Sequence, residues 1–204
     1  MIKVCILDYG SGNVKSVYNL FSSIADDVAI SNDPDRVASA SHVVLPGVGA
    51  FGAAMRKINE RLPVAEVTEA VRAQGKPFLG ICVGMQVLAD VGTEFGEHDG
   101  LGWIGGTVRK LETAGLPLPH IGWNNITAHQ STPLLDGLEG EPDFYYVHSF
   151  AFDAADHADV VATTEFGQNF TAIVRRDNIH GVQFHPEKSQ KAGIRLAKNF
   201  LAMA

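Results

Sequence analysis

In the first half of the chain, three apolar runs each hand over to a glycine-rich turn: IKVCIL before DYGSGN, SHVVL before PGVGAFG, and KPFL before GICVGMQ. An apolar run without polar alternation reads as a strand buried on both faces, and helical stretches separate these runs. NVKSVYNLFSSI places Val14, Val17, Leu20 or Phe21, and Ile24 on one stripe. A helical region extends from about residue 53 to 74, broken near Pro63, which cannot continue the backbone ladder. Another helix is expected from about Val83. Such alternation predicts a parallel sheet covered on both sides, with ligands bound beyond the carboxyl ends of its strands, where all three turns fall.

The second half changes character. GTVRKL, WNNITA, DFYYVHSFAF, DVVATTE, FTAIVRRD and IHGVQFHP read as strands joined by short turns, much of it antiparallel. A final amphipathic helix is predicted over about 190–203, with Ile194, Ala197 and Leu201 on one face. The expected fold is α/β: a three-layer sandwich around a central, mostly parallel mixed sheet, with smaller antiparallel strands in the second half. With 204 residues and no repeat or linker, one domain over 1–204 is expected.

A net charge of −7 argues against a nucleic-acid surface, which needs a basic footprint. No apolar stretch approaches the roughly 18 residues that span a bilayer, and the chain runs directly into a strand pattern without a leader. Two cysteines, Cys5 and Cys82, make no disulfide framework and suggest a reducing compartment. Cys5 lies in an apolar run and reads as a core thiol. A soluble, cytoplasmic protein is expected.

Cys82 is different. Gly80-Ile81-Cys82-Val83-Gly84 between a strand and a helix has the layout of a nucleophile elbow, with glycines where neighbouring backbone presses in. The thiol would sit at a helix N-terminus, whose N–H groups and dipole favour a thiolate and can receive an oxyanion. The alternative is a small buried cysteine on a glycine-rich turn. A nucleophile needs a base, and the base needs an orienting group. QFHPEKS supplies His185 and Glu187, and the intervening proline gives an extended exit from which both side chains project the same way. Taken alone, His-Pro-Glu also reads as a surface turn.

His42, His98, His129 and His157 stand among polar or turn residues and are expected in solvent; His180 is placed in a turn and His148 at a partly buried position. No His, Cys, Asp and Glu set has metal-ligand spacing, so neither metal nor cofactor is expected. Residues 45–52, LPGVGAFG, lack the Gly-Lys-Ser/Thr of a P-loop, but their freed N–H groups suit an oxyanion hole.

Together, the elbow GICVGMQ, the turn PGVG and the exit HPE resemble the class I (triad-type) glutamine amidotransferases. DYGSGNVKS, LPGVGAF, PHIGWN and YYVHSF ahead of GVQFHPEKS narrow the resemblance to the glutaminase subunits of imidazole glycerol phosphate synthases, across residues 8–189. The resemblance implies Cys82 as nucleophile, His185 as acid and base, and Glu187 as its orienting carboxylate. It implies glutamine binding by the Gln86 and Glu94 side chains and by backbone at Gly47, Ser149 and Phe150. The implied oxyanion hole is the N–H of Val83 with one from Val48 or Gly49. It further implies a separate cyclase subunit, a (β/α)8 barrel, docked on Asn13, Trp123, Asn124, Tyr145 and Lys188 and receiving ammonia. Without the resemblance, Trp123 reads equally as a core aromatic. Two departures are visible: Val83 stands where leucine is usual and Phe150 where tyrosine is common, both at positions with implied backbone roles. A free-standing γ-glutamyl hydrolase with the same triad, and a non-catalytic regulatory subunit of the same fold, are the alternatives.

Overall fold

The computed structural model describes residues 2–138, 140 and 142–203. Its first half runs β1 (Lys3–Ile6), α1 (Val14–Ser22), β2 (Asp27–Ile30), α2 (Pro34–Ser39), β3 (His42–Gly47), α3 (Phe51–Arg61), α4 (Val64–Thr68), β4 (Phe78–Cys82) and α5 (Val83–Gln86). A π-helical turn, Glu69–Ala73, continues α4, so the predicted break near Pro63 stands. β2 was not legible. Its DVAI run is short and half-exposed, because it forms the sheet edge beside β1.

The second half runs β5 (Val91–Gly92), β6 (His98–Asp99), β7 (Gly106–Lys110), β8 (His120–Asn125), β9 (Thr127–Ala128), β10 (Asp143–His148), β11 (Phe150–Ala154), β12 (Val160–Phe166), β13 (Gln168–Arg176), β14 (Ile179–Val182) and α6 (Gln190–Leu201). The central sheet has the order β2-β1-β3-β4-β14-β13-β12-β9. It is parallel from β2 through β14 and antiparallel from there to β9. β8 and β10 form a two-stranded ribbon, and β11, β7, β5 and β6 make a smaller sheet. DFYYVHSFAF is therefore two strands rather than one: the chain turns at Ser149 and leaves the ribbon for the smaller sheet.

Helices cover both faces. α1 and α6 share one side, where Phe21 meets Phe200 edge-on at 6.2 Å. On the other side, Ile58, Leu62 and Val67 pack over Leu7, Leu45 and Phe78. Burying one such side chain contributes about 1.5–3 kcal/mol. The inner face of α6 is Gly193, Leu196, Ala197, Phe200 and Leu201; Ile194, expected inside, is exposed. The stripe at Ile194 is displaced by Gly193, which must lie directly against the Pro186 carbonyl. Cys5 is fully buried, as expected.

Candidate active site

Register explains why distant residues meet. Gly47 at the end of β3 lies opposite Cys82 at the end of β4. On the other side of β4, Gly181 and Val182 of β14 pair with Gly80 and Ile81, so the chain after β14 emerges beside Cys82. Three neighbouring strand ends thus deliver the PGVG turn, the cysteine and the QFHPE segment to one place.

Cys82 adopts φ 56° and ψ −111°. Positive φ at a non-glycine residue stores strain of about 1–3 kcal/mol, tolerated only where the surroundings fix it. The surroundings here are backbone. A Cβ on Gly80 would enter the carbonyl group of Gly84, and one on Gly84 would enter the Leu45 carbonyl oxygen. The spacing Gly-x-Cys-x-Gly is what lets the turn fold back on β4 and close against β3. α5, however, is a single turn of four residues. The predicted helix at Val83 exists, but the macrodipole of so short a helix is small.

His185 and Glu187 are joined as predicted. His185 Nδ1 lies 2.8 Å from Glu187 Oε1, and both side chains are shut off from solvent. The connecting residues form a 3-10 turn, Pro186–Lys188, rather than a fully extended exit. The Ser189 hydroxyl donates to the His185 carbonyl at 2.6 Å and accepts from the Tyr145 N–H at 3.0 Å, which pins this turn to β10. With Nδ1 committed to the carboxylate, Nε2 is the nitrogen left over; it is buried with no partner in hydrogen-bond geometry. Burial works against protonating the ring, but the adjacent Cys82 sulfur and the Glu187 carboxylate outweigh it and raise the imidazole to about 10. The ring therefore carries a proton beside the sulfur.

Asn13 was expected on a docking surface. It is buried instead, and its Nδ2 donates to Glu187 Oε1 at 3.1 Å, while its Oδ1 accepts from the Ser11 hydroxyl at 2.5 Å. The loop after β1 turns inward to hold the carboxylate that holds the ring.

A cavity of about 220 Å³ opens over Cys82, lined by Val48, Gly49, Val83, Gln86, Glu94, Val147, His148, Ser149 and Phe150. Of the predicted glutamine and oxyanion residues, only Gly47 lies behind its wall. There Gly47 is packed against the Tyr9 hydroxyl and the Gly84 N–H, too close for any side chain. Gly49 has φ 102°, a conformation that favours glycine, and a Cβ there would meet open space. Glu94 Oε2 accepts the N–H of Phe51 at 2.9 Å, supplying α3 with the N-terminal partner that Ala50 cannot. A larger surface cavity of about 460 Å³ lies away from these residues, along β7, β11 and β13, and contains no predicted site residue.

Behind the cavity wall, the Phe150 carbonyl accepts from Gln86 Nε2 and from His148 Nδ1, each at 2.9 Å. His148 Nε2 lies 3.1 Å from His120 Nδ1, and His120 Nε2 lies 3.4 Å from Asn124 Nδ2. Because the carbonyl can only accept, His148 must carry its proton on Nδ1. Burial lowers His148 to about 3 and His120 to about 4, keeping both rings neutral. His120 stacks between Tyr146 and Phe166 and, with Gln183, Tyr9 and Ser189, escaped the sequence reading. For Gln183 a signal existed: an amide inside the apolar stretch GVQF needs a polar partner. Two further histidines need correction. His42 is buried, bonded to the Ser41 hydroxyl and the Met203 carbonyl, and His180 is buried within β14; in each case a flanking apolar strand decides the environment over the polar neighbours.

Trp123 is 47% exposed, and its ring meets Tyr145 edge-on at 5.9 Å across the ribbon, with Lys188 Nζ 5.5 Å from the Tyr145 centroid. Ile121, 60% exposed, pairs with Val147 on the same face, and Val147 also lines the cavity. Asn124 Nδ2 donates to the Glu165 carbonyl at 2.9 Å. An apolar face thus runs from open surface to the mouth of the site.

The fold has counterparts. A chain of the structure of PurLQS from Thermotoga maritima superposes with a TM-score of 0.77 at 18% identity, covering 98% of this chain and 97% of that one. A crystal structure of glutamine amidotransferase superposes at 0.74 and 19%, covering 97% and 96%. The imidazole glycerol phosphate synthase subunit HisH of Salinibacter ruber is 47% identical over 97% of this chain and 93% of its own length. The subunit of the same name from Rhodospirillum rubrum is 44% identical over the full length of both. The profile described as glutamine amidotransferase class-I matches residues 5–204. With a strained cysteine over a histidine–carboxylate pair and a full-length match to that profile, the chain belongs to the class I glutamine amidotransferase family.

Proposed function

We propose that this chain, acting as a single amidotransferase domain over 1–204, is the glutaminase subunit of an imidazole glycerol phosphate synthase in histidine biosynthesis. Cys82 attacks the carboxamide carbon of glutamine. The oxyanion takes hydrogen bonds from the Val83 N–H and from the Val48–Gly49 turn, each worth roughly 3–4 kcal/mol. His185 gives its Nε2 proton to the departing nitrogen, which leaves as ammonia, and a glutamyl thioester remains on the sulfur. Water then attacks the thioester carbon while His185 takes its proton; the C–S bond breaks and glutamate leaves. Gln86, Glu94, Ser149 and Phe150 line the place where the amino-acid end of glutamine sits.

Glutaminase chemistry leaves ammonia in need of an acceptor. The partner we propose is a cyclase subunit with a (β/α)8 barrel, which converts PRFAR to imidazole glycerol phosphate and AICAR. Trp123, Tyr145 and Lys188 form its docking face, together with Ile121; aromatic anchors of this kind dominate protein interfaces. Asn124, expected there too, turns its side chain to the other face of the ribbon, toward His120 and the Glu165 carbonyl. A cytoplasmic setting suits this pathway; among the described residues no helix is long and apolar enough to cross a membrane.

The observation that carries the reading is the backbone-wedged Cys82 at the floor of the cavity, beside the buried His185–Glu187 pair. The test is a glutaminase assay on purified protein, with and without the barrel subunit and its nucleotide ligand. Turnover should be weak alone, strongly stimulated in the complex, and absent in Cys82→Ala. Hydrolysis by Cys82→Ala, or full activity without any partner, would discard the proposal.

A further inference from the structure

We propose that Gln183 is a positioning residue for the reactive sulfur, presenting an N–H to Cys82 along a chain of amides whose direction is fixed by the Phe150 carbonyl. The inference deepens the glutaminase reading and rests on it.

Gln183 follows β14 directly and is fully buried. Its backbone is held by β13, through the bond from its N–H to the Ala172 carbonyl at 2.8 Å. Its side-chain Nε2 lies 3.7 Å from Cys82 Sγ, and its Oε1 accepts from Gln86 Nε2 at 3.0 Å. The Gln86 nitrogen donates its second hydrogen to the Phe150 carbonyl.

A primary amide can be turned end for end, so its orientation must be argued from its partners. Here the partners decide. A backbone carbonyl only accepts, so the end of Gln86 facing Phe150 must be NH2. That nitrogen also faces Gln183, so the Gln183 atom opposite it must be oxygen. The remaining end of Gln183, directed at the sulfur, is then NH2. One carbonyl three links away compels a donor at the nucleophile.

A sulfur anion gains more from such a donor than a neutral thiol does, because hydrogen bonds to ionised acceptors are the stronger ones. α5 is too short to supply much dipole, so the contribution is not redundant. Gln183 also differs in kind from His185. The imidazole gives up and regains its proton during the cycle, whereas the amide cannot titrate and stays a donor at every step. A buried amide without this task would be unfavourable beside methionine or leucine.

The experiment measures labelling of Cys82 by iodoacetamide from pH 5 to 11, read on the Cys82 peptide by mass spectrometry so that Cys5 does not contribute. At pH 6.5, Gln183→Met should label about tenfold more slowly than the unsubstituted chain, with the two rates converging at the alkaline end. Gln183→Glu, which puts an acceptor at the sulfur in nearly the same volume, should be at least as slow. Gln86→Met, which keeps Gln183 but removes its pin, should shift labelling in the same direction and less. In the complex, kcat for glutamine should fall about tenfold in Gln183→Met with KM within about twofold.

Circular dichroism checks folding; should Gln183→Met not fold, Gln183→Glu and Gln86→Met carry the decision. Unchanged labelling profiles in the folded variants, or a raised KM with unchanged kcat, overturns the inference. Labelling requires no glutamine, so a chain that shows this shift yet fails to hydrolyse glutamine in the complex would refute the glutaminase reading alone.

Discussion

The turn after β4 and the turn after β14 deliver the two halves of the proposed chemistry, and they are held by different forces. The cysteine turn is held by exclusion: Gly80 and Gly84 lie against backbone, and Cys82 is wedged into a conformation it would not choose. The histidine turn is held by attraction, through Glu187, Asn13 and Ser189. Steric confinement fixes where the sulfur is. Hydrogen bonding fixes how the ring faces and where its proton resides, while leaving the proton free to move. A nucleophile gains from the first, and an acid–base group needs the second.

Substitutions can break this contrast, beginning with the largest effect. Gly84→Ala drives a methyl group into the Leu45 carbonyl and should destabilise the fold by about 3 kcal/mol or more, measured by urea unfolding, with loss of glutaminase activity. Glu187→Gln should do the reverse: little change in unfolding midpoint, and a kcat lower by about 10²–10⁴ because the ring loses its charged anchor. Asn13→Ala, one step further from sulfur, should lower kcat by about tenfold and leave the unfolding free energy within about 1 kcal/mol.

The contrast sharpens with pH. Burial keeps His148 to about 3, and His120 and His180 to about 4, against an ordinary value of 6.5. The unfolded chain therefore takes up protons below pH 6.5 that the folded chain refuses. Stability should fall as pH drops from 6.5 toward about 4, with a slope of about 1.4 kcal/mol per pH unit for each histidine. Urea unfolding at several pH values checks this; replacing His180 with glutamine should remove about one histidine's share of the slope.

The same division governs what could be read in the sequence. The inner parallel strands β1, β3 and β4 were legible because they are covered on both sides, which leaves long apolar runs such as VCIL, HVVL and KPFL, whereas the edge strand β2 was not. Glycines at 80 and 84 announced the cysteine turn because close backbone approach has few other solutions. The antiparallel half was read as strands but not as three separate pairings: nothing in DFYYVHSFAF marks Ser149 as the point where the chain changes sheets. The hydrogen-bonded parts were hidden for a related reason. Asn13 and His120 look like surface residues until a distant carboxylate and a distant histidine are brought to them, and the amide in GVQF signals a buried position without naming its partners. Local pattern carries burial well and carries long-range polar pairing poorly.

Placing the sulfur by adjoining strand ends also separates two kinds of inheritance. Part of the cavity wall comes from other segments: Glu94 from the loop between β5 and β6, and Val147 to Phe150 from the passage between the ribbon and the smaller sheet. Those segments can be lengthened, trimmed or recoloured over evolutionary time without moving the wedge. The shape of the pocket can change in this way while the glycines beside the cysteine keep the sulfur where it is.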